Sequence, residues 1–201
     1  MQISALEALL TGKLSTLTLT PDGATLPDEP PSGAIFSGAF NPLHHGHVQL
    51  AQAATRCCDL PVAFELAVVN ADKGTLAPNE IARRAAQFAG RHTLVLSRFP
   101  LFVQKAAIYP GRTFVLGYDT AARLLDPRYY QGTIGLEAAL NTLALAECRF
   151  LVAGRMHNGQ FATLADLYPP PAFAHLFTPI PEALFRADVS SSALRARARV
   201  R

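Results

Sequence analysis

The residues best suited to chemistry are two histidines three positions apart, His44 and His47, at the start of a helical-looking segment. They close the stretch Ser37-Gly38-Ala39-Phe40-Asn41-Pro42-Leu43-His44-His45-Gly46-His47. An imidazole donates a hydrogen bond to a phosphate oxygen whether it is neutral or charged. The apolar run Ala34-Ile35-Phe36 precedes the stretch, and Val48-Gln49-Leu50-Ala51-Gln52-Ala53-Ala54 follows it. A strand, a glycine-bearing turn and a helix, in that order, aim the backbone N–H groups of the turn and helix start at an anion. Gly38 lets the backbone approach a ligand and Pro42 stiffens the loop. The pattern implies a corner suited to a polyphosphate. His45 sits between the two histidines and reads as incidental. A zinc site on His44 and His47 needs a further ligand, and no carboxylate or cysteine stands nearby at ligand spacing. No metal ligand is assigned.

At these residues the chain resembles a known family. The pattern G-x-F-N-P-x-H-x-G-H is similar to the signature of the nucleotidyltransferase superfamily with the HxGH motif, closest to the nicotinamide- and nicotinate-mononucleotide adenylyltransferases. Near the other end, Val189-Ser190-Ser191-Ser192-Ala193-Leu194-Arg195 resembles that superfamily's second signature, I-S-S-T-x-I-R. Two motifs in the right order are far more specific than either alone. The resemblance implies an enzyme that moves AMP from ATP to a pyridine mononucleotide, with nicotinamide mononucleotide the expected acceptor. It implies catalytic roles for His44, His47 and Arg195. It also implies ATP contacts from Ser37, Gly38, Ala39, Phe40, Gly46, Ser191 and Ser192. By itself, a serine pair before a helix is an N-cap. With Arg195 one turn on, it also makes an anion cradle. Mg²⁺ is expected as the ATP counter-ion, held mainly by the phosphates.

The elements that must position these residues alternate. Strands are expected over 34–38, 62–69, 93–97, 113–116 and 150–153, with helices over 46–57, 78–88, 101–108, 119–125, 136–146 and 190–198. Short β-branched runs between helical patterns predict an α/β fold: a Rossmann-like, doubly wound parallel sheet, an α/β/α sandwich in a single domain. Ligands of such sheets bind at the carboxyl ends of the strands. Residues 1–33 read as a lead-in helix and Pro-rich linker, and residues 34–201 as the nucleotidyltransferase domain.

Other polar residues fall at the same sheet edge. Asn70 and Lys73 follow a strand and suit the acceptor, although Asn, Asp and Gly there also make an ordinary turn. Gly117-Tyr118-Asp119 resembles the family's G-x-D element, with Asp119 either on the ribose hydroxyls or capping the next helix. Gly154-Arg155 is similarly placed. Glu65, a carboxylate inside an apolar strand, needs a partner if buried, and no role is assigned to it. The chain has no tryptophan to stack on a pyridine ring, which leaves Phe99, Phe102, Tyr109 or Tyr118 for that task.

Composition limits the alternatives. Half the residues are hydrophobic and 16% are charged, enough for a sizeable core. A net charge of +3 is too small to argue for nucleic acid. Three cysteines without a spacing framework argue for reduced thiols and a cytoplasmic setting. The partners expected are ATP and a phosphorylated small-molecule acceptor, with no membrane, and homo-oligomerisation is left open. Two other readings remain: a cytidylyltransferase acting on a different phosphorylated acceptor, and a nucleotide-binding protein without catalysis.

Overall fold

The computed structural model of the chain describes residues 3–70, 74–157 and 160–186. The chain enters as helix α1 (Ile3–Thr11) and a hairpin of β1 (Thr16–Leu19) and β2 (Thr25–Pro27). Next come β3 (Ala34–Ser37), α2 (His45–Cys58), β4 (Val62–Ala67) and a short pair, β5 (Val69–Asn70) and β6 (Gly74–Thr75). Helix α3 (Pro78–Ala85), β7 (Leu94–Ser97), α4 (Phe102–Ala106), β8 (Thr113–Gly117) and α5 (Tyr118–Leu124) follow. The last elements are α6 (Thr133–Leu145), β9 (Arg149–Ala153), a second short pair of β10 (Arg155–His157) and β11 (Gln160–Ala162), and β12 (Phe177–Ile180).

Eight strands form one sheet in the order β12-β9-β8-β3-β4-β7-β1-β2. From β12 to β7 every pairing is parallel, and β1 and β2 extend the β7 edge antiparallel. The parallel part starts at β3 and steps outward through β4 to β7. It then returns to β8 on the other side of β3, so the order reverses between β3 and β8. This is the switch point at which doubly wound sheets bind ligands.

Alternation along each strand divides the core between two faces. Phe36, Phe64, Leu66, Leu94 and Leu96 pack with residues of α1, α2 and α3 on one side. Ile35, Ala63, Val95, Phe114 and Leu116 pack with residues of α4, α5 and α6 on the other. The expected doubly wound sheet is present.

Strands β1, β2 and β12 of the main sheet were not expected. The stretch expected as a linker contains β1 and β2, because Thr16-Leu17-Thr18-Leu19 has strand period and buries Leu17 completely. Asp28 secures that hairpin by accepting the Ser15 and Thr16 N–H groups at 2.7 and 2.8 Å. Strand β12 carries Pro179, which is tolerated because it lies at the sheet edge. The helix expected over 190–198 lies outside the described residues. No described helix is long and apolar enough to cross a membrane. The three cysteines are free thiols, with Cys148 buried.

Candidate active site

Strand β3 ends at Ser37 and α2 begins at His45, so the loop between them sits at the switch point. Its first backbone donor, the Gly38 N–H, bonds to the Glu65 carbonyl of β4 at 3.0 Å. A Cβ on Gly38 would lie 2.6 Å from the Phe40 ring. The protein's own packing therefore requires a glycine here, a constraint that stands beside the expected approach of a ligand to its backbone. Phe40 is itself buried, in edge-to-face contact with Phe36, Phe64 and Phe88. Only its backbone is available to a nucleotide, and that backbone adopts φ 44°, the left-handed region. A bulky residue persists there only where its surroundings over-determine it.

The over-determination comes from α3 and the turn after it. Gln87 donates to the Phe40 carbonyl at 3.0 Å and accepts from the Leu43 N–H at 2.8 Å. Arg84 donates to the Ala39 carbonyl at 3.0 Å, and Arg83 to Asn41 Oδ1 at 2.6 Å. Glu80 receives both guanidinium groups at 2.7 Å and fixes their direction. These holding residues were not anticipated from the sequence. The only local signal was a polar i, i+3, i+4 face on a helix whose apolar face, Ile81 and Ala85, is buried. Gln87→Met removes both amide contacts at similar volume. The expected result is a fall in turnover of about ten- to a hundredfold from loop misplacement, with the melting temperature lowered only a few degrees. Steady-state kinetics beside a thermal melt check this, and unchanged turnover would contradict it.

His44 is the N-cap of α2, and the His47 ring stacks on it with centroids 3.8 Å apart. The His44 N–H donates to His47 Nδ1 at 3.2 Å. That contact assigns the acceptor role to Nδ1 and leaves Nε2 carrying the proton as a donor. Burial against Phe36 and Phe40, with His44 beside it, holds the His47 pKa down at about 3. Burial and then His45 also lower His44. The corner therefore presents neutral imidazole donors and the N-terminus of a fourteen-residue helix. His45 is exposed and Gly46 is buried in the first turn.

Depressed imidazoles make stability depend on pH. In the unfolded chain a histidine titrates near ~6.5, whereas His44, His47 and, through burial, His92 titrate lower in the fold. Below pH ~6.5 the unfolded state binds more protons, so stability falls by at most about 1.4 kcal/mol per pH unit for each imidazole. The urea midpoint is expected to drop between pH 7.5 and 5, with a shallower drop in His47→Asn. Equal slopes in the two proteins would remove His47 from this effect.

Strand β8 brings the next group alongside. Its register with β3 pairs Ile35 with Phe114 and Phe36 with Val115, so the strands' carboxyl ends place Ser37 and Gly38 beside Leu116 and Gly117. Gly117 is the N-cap of α5, and a Cβ added there would meet nothing within 4 Å. The protein leaves open space at this glycine. Asp119, in the first turn of α5, forms an ion pair with Arg155 of β10. Its carboxylate is thus engaged by the arginine, beyond the helix-capping alternative. Both side chains are well exposed, so the pair is open to exchange.

Beneath the corner lies a cluster that was only half anticipated. Glu65 is fully buried and Lys105, on α4, is 3% exposed. They form an ion pair, and the Ser97 hydroxyl donates to the other carboxylate oxygen. Lys105 Nζ also reaches Ser37 Oγ at 3.2 Å. Tyr109 is fully buried, so it is removed from the aromatics able to stack on a ligand. Phe102 packs on Phe114 and Phe150. Asn70 lies on β5, whose partner β6 begins at Gly74. Lys73, Ser191, Ser192 and Arg195 lie outside the described residues. A groove of about 430 Å³, lined by His44, His45, Gln49, Gln87, Arg91 and His92 among others, runs alongside the corner. Among the described residues no group of three or more His, Cys, Asp and Glu side chains converges as a metal site.

The switch point of the parallel sheet thus carries a clamped loop, a helix N-terminus and two neutral imidazoles, an arrangement suited to holding an anion. The chain is similar to a probable nicotinate-nucleotide adenylyltransferase of Gloeobacter violaceus, 29% identical over 179 residues, which cover 80% of this chain and 81% of the relative. That similarity bears out the family resemblance drawn from the motifs. No family model matches the chain.

Proposed function

We propose that this protein is an adenylyltransferase that joins the AMP of ATP to a pyridine mononucleotide and releases pyrophosphate. The observation that carries the reading is His47, held neutral with Nε2–H as donor, at a helix N-terminus on the sheet's switch point. The name of the relative supports a pyridine mononucleotide as acceptor, and in that protein it is the nicotinate form. The nicotinamide form is the one the sequence analysis expects.

An oxygen of the acceptor's phosphate attacks the α-phosphorus of ATP. A new P–O bond forms, the bond to the α–β bridging oxygen breaks, and pyrophosphate leaves with that electron pair. Charge spreads over the equatorial oxygens, so fixed donors and positioning supply the catalysis and no covalent nucleophile is needed. His44, His47 and the N–H groups opening α2 would face those oxygens. By resemblance, Ser191, Ser192 and Arg195 would hold the ATP phosphates, and from their place after a strand at the sheet edge Lys73 and Asn70 would meet the acceptor. Gly117 leaves space for the nucleoside. Glu65 and Asp119 are each paired with a cation, and the imidazoles are poor ligands for a hard cation. This donor set fits Mg²⁺ arriving on the phosphates, where it would neutralise developing charge.

The test is pyrophosphate release with ATP, Mg²⁺ and either mononucleotide, with CTP as the control nucleotide and the dinucleotide confirmed by mass. Turnover with one mononucleotide and ATP supports the reading and fixes the acceptor. Silence with both acceptors, in a protein that Mg·ATP still stabilises, would overturn it.

A further inference from the structure

Glu65 and Lys105 have no part in the chemistry above, yet they are buried charges at the sheet's core. Taking two charges out of water is costly, and an apolar pair of the same volume often holds a fold as well or better. A use other than stability is therefore called for, and their third partner points to one. Strand alternation puts Ser37 on the same sheet face as Ile35, Glu65 on that of Ala63 and Ser97 on that of Val95. Ser37 is half-exposed at the end of β3, whereas the other members of the cluster are buried.

An ammonium group only donates, so Ser37 Oγ is the acceptor in its 3.2 Å contact with Lys105. The serine's own proton must then point elsewhere, and among the described residues no acceptor takes it. Ser97 and Lys105 occupy one carboxylate oxygen of Glu65 each. The direction left open is outward, at the carboxyl end of β3, where the Gly38 backbone turns into the corner. Accepting a charged donor polarises the hydroxyl and makes it a better donor in turn.

We infer that Lys105 and Glu65 are a buried positioning pair that orients and polarises the Ser37 hydroxyl as a hydrogen-bond donor to the polyphosphate in the corner. This rests on the reading of that corner as a polyphosphate site. Lys105 acts through Ser37 and Glu65 holds Lys105.

A coupling cycle tests it, using the full chain and two probes, Mg·ATP and inorganic tripolyphosphate, with binding read by calorimetry. The proteins are the parent, Ser37→Ala, the pair replacement Glu65→Leu/Lys105→Met, and all three changes together. Ser37→Ala is expected to weaken binding about tenfold, the size of one hydrogen bond to a charged group. The pair replacement should weaken it similarly, and the triple variant should bind no worse than either. Ser37→Thr, which keeps the hydroxyl, should bind within about twofold of the parent. A pair replacement that binds like the parent, or effects that multiply in the triple variant, overturns the inference while leaving the corner reading intact. A parent protein that binds neither probe overturns both. If the pair replacement does not fold, the ¹⁵N resonance of the Lys105 ammonium decides. Its shift on adding tripolyphosphate should be lost in Ser37→Ala, and an undiminished shift there overturns the inference.

Discussion

For the proposed reaction, His47→Asn is expected to lower pyrophosphate release from Mg·ATP about a hundred- to a thousandfold, the usual cost of removing one preorganised donor. The asparagine carbonyl takes the place of Nδ1 and still accepts the His44 N–H, so the start of α2 is kept. What is lost is the Nε2–H donor. His47→Ala loses both functions, and Phe36 and Phe40 lose a neighbouring ring. Its rate falls as far, and its melting temperature falls further than that of the asparagine variant. Rapid-quench turnover beside thermal melts of both variants checks this. A rate near the parent's in His47→Asn would remove the imidazole from the chemistry. If turnover instead fell in proportion to stability across the two variants, the role of His47 would be packing alone.

Lys105→Met is expected to cause a large loss of stability. It leaves the Glu65 carboxylate fully buried with only the Ser97 hydroxyl on it. Breaking a buried pair from one side costs about 3–5 kcal/mol, a drop of roughly six to twenty degrees in a chain of this size. Adding Glu65→Leu removes the stranded charge, and the double variant should regain most or all of that loss. Urea unfolding of the parent, the single and the double variant measures both steps. A single variant as stable as the parent would mean that Glu65 is not held as an ion beneath the corner. The two predictions separate, because His47→Asn acts on rate while keeping the helix start and Lys105→Met acts on stability first.

Much of the fold was legible because its signals are local. The runs 34–38, 62–69, 93–97, 113–116 and 150–153 are short, apolar and bounded by turns, and each coincides to within a residue or two with a strand of the parallel sheet. The hairpin β1–β2 was missed because its Thr-Leu alternation lies amid turn residues that read as linker. Its partner β7 comes some seventy-five residues later in the chain. Strand β12 was missed because Pro179 argues against a strand, and only its position at the edge makes the proline harmless.

The sequence by itself determined the chemistry on offer at the corner: two imidazoles at set spacing, a turn glycine and a helix start, all within eleven residues. It also showed that Glu65 was out of place, since a carboxylate in an apolar run requires a partner. The tertiary structure alone decided what each of those residues does. Gly38 is required by the Phe40 ring, which fills the space a Cβ would take. Asp119 is met by Arg155, thirty-six residues later. Gln87, forty-four residues beyond Leu43, holds the loop that presents the histidines. Glu65 finds Lys105 forty residues on, across the sheet's other face. Backbone propensity and hydrophobic period act over a few residues and can be read in order. Pairing of buried charges and clamping of a loop depend on which chain segments the folded sheet brings within hydrogen-bond reach, and no local pattern encodes that distance.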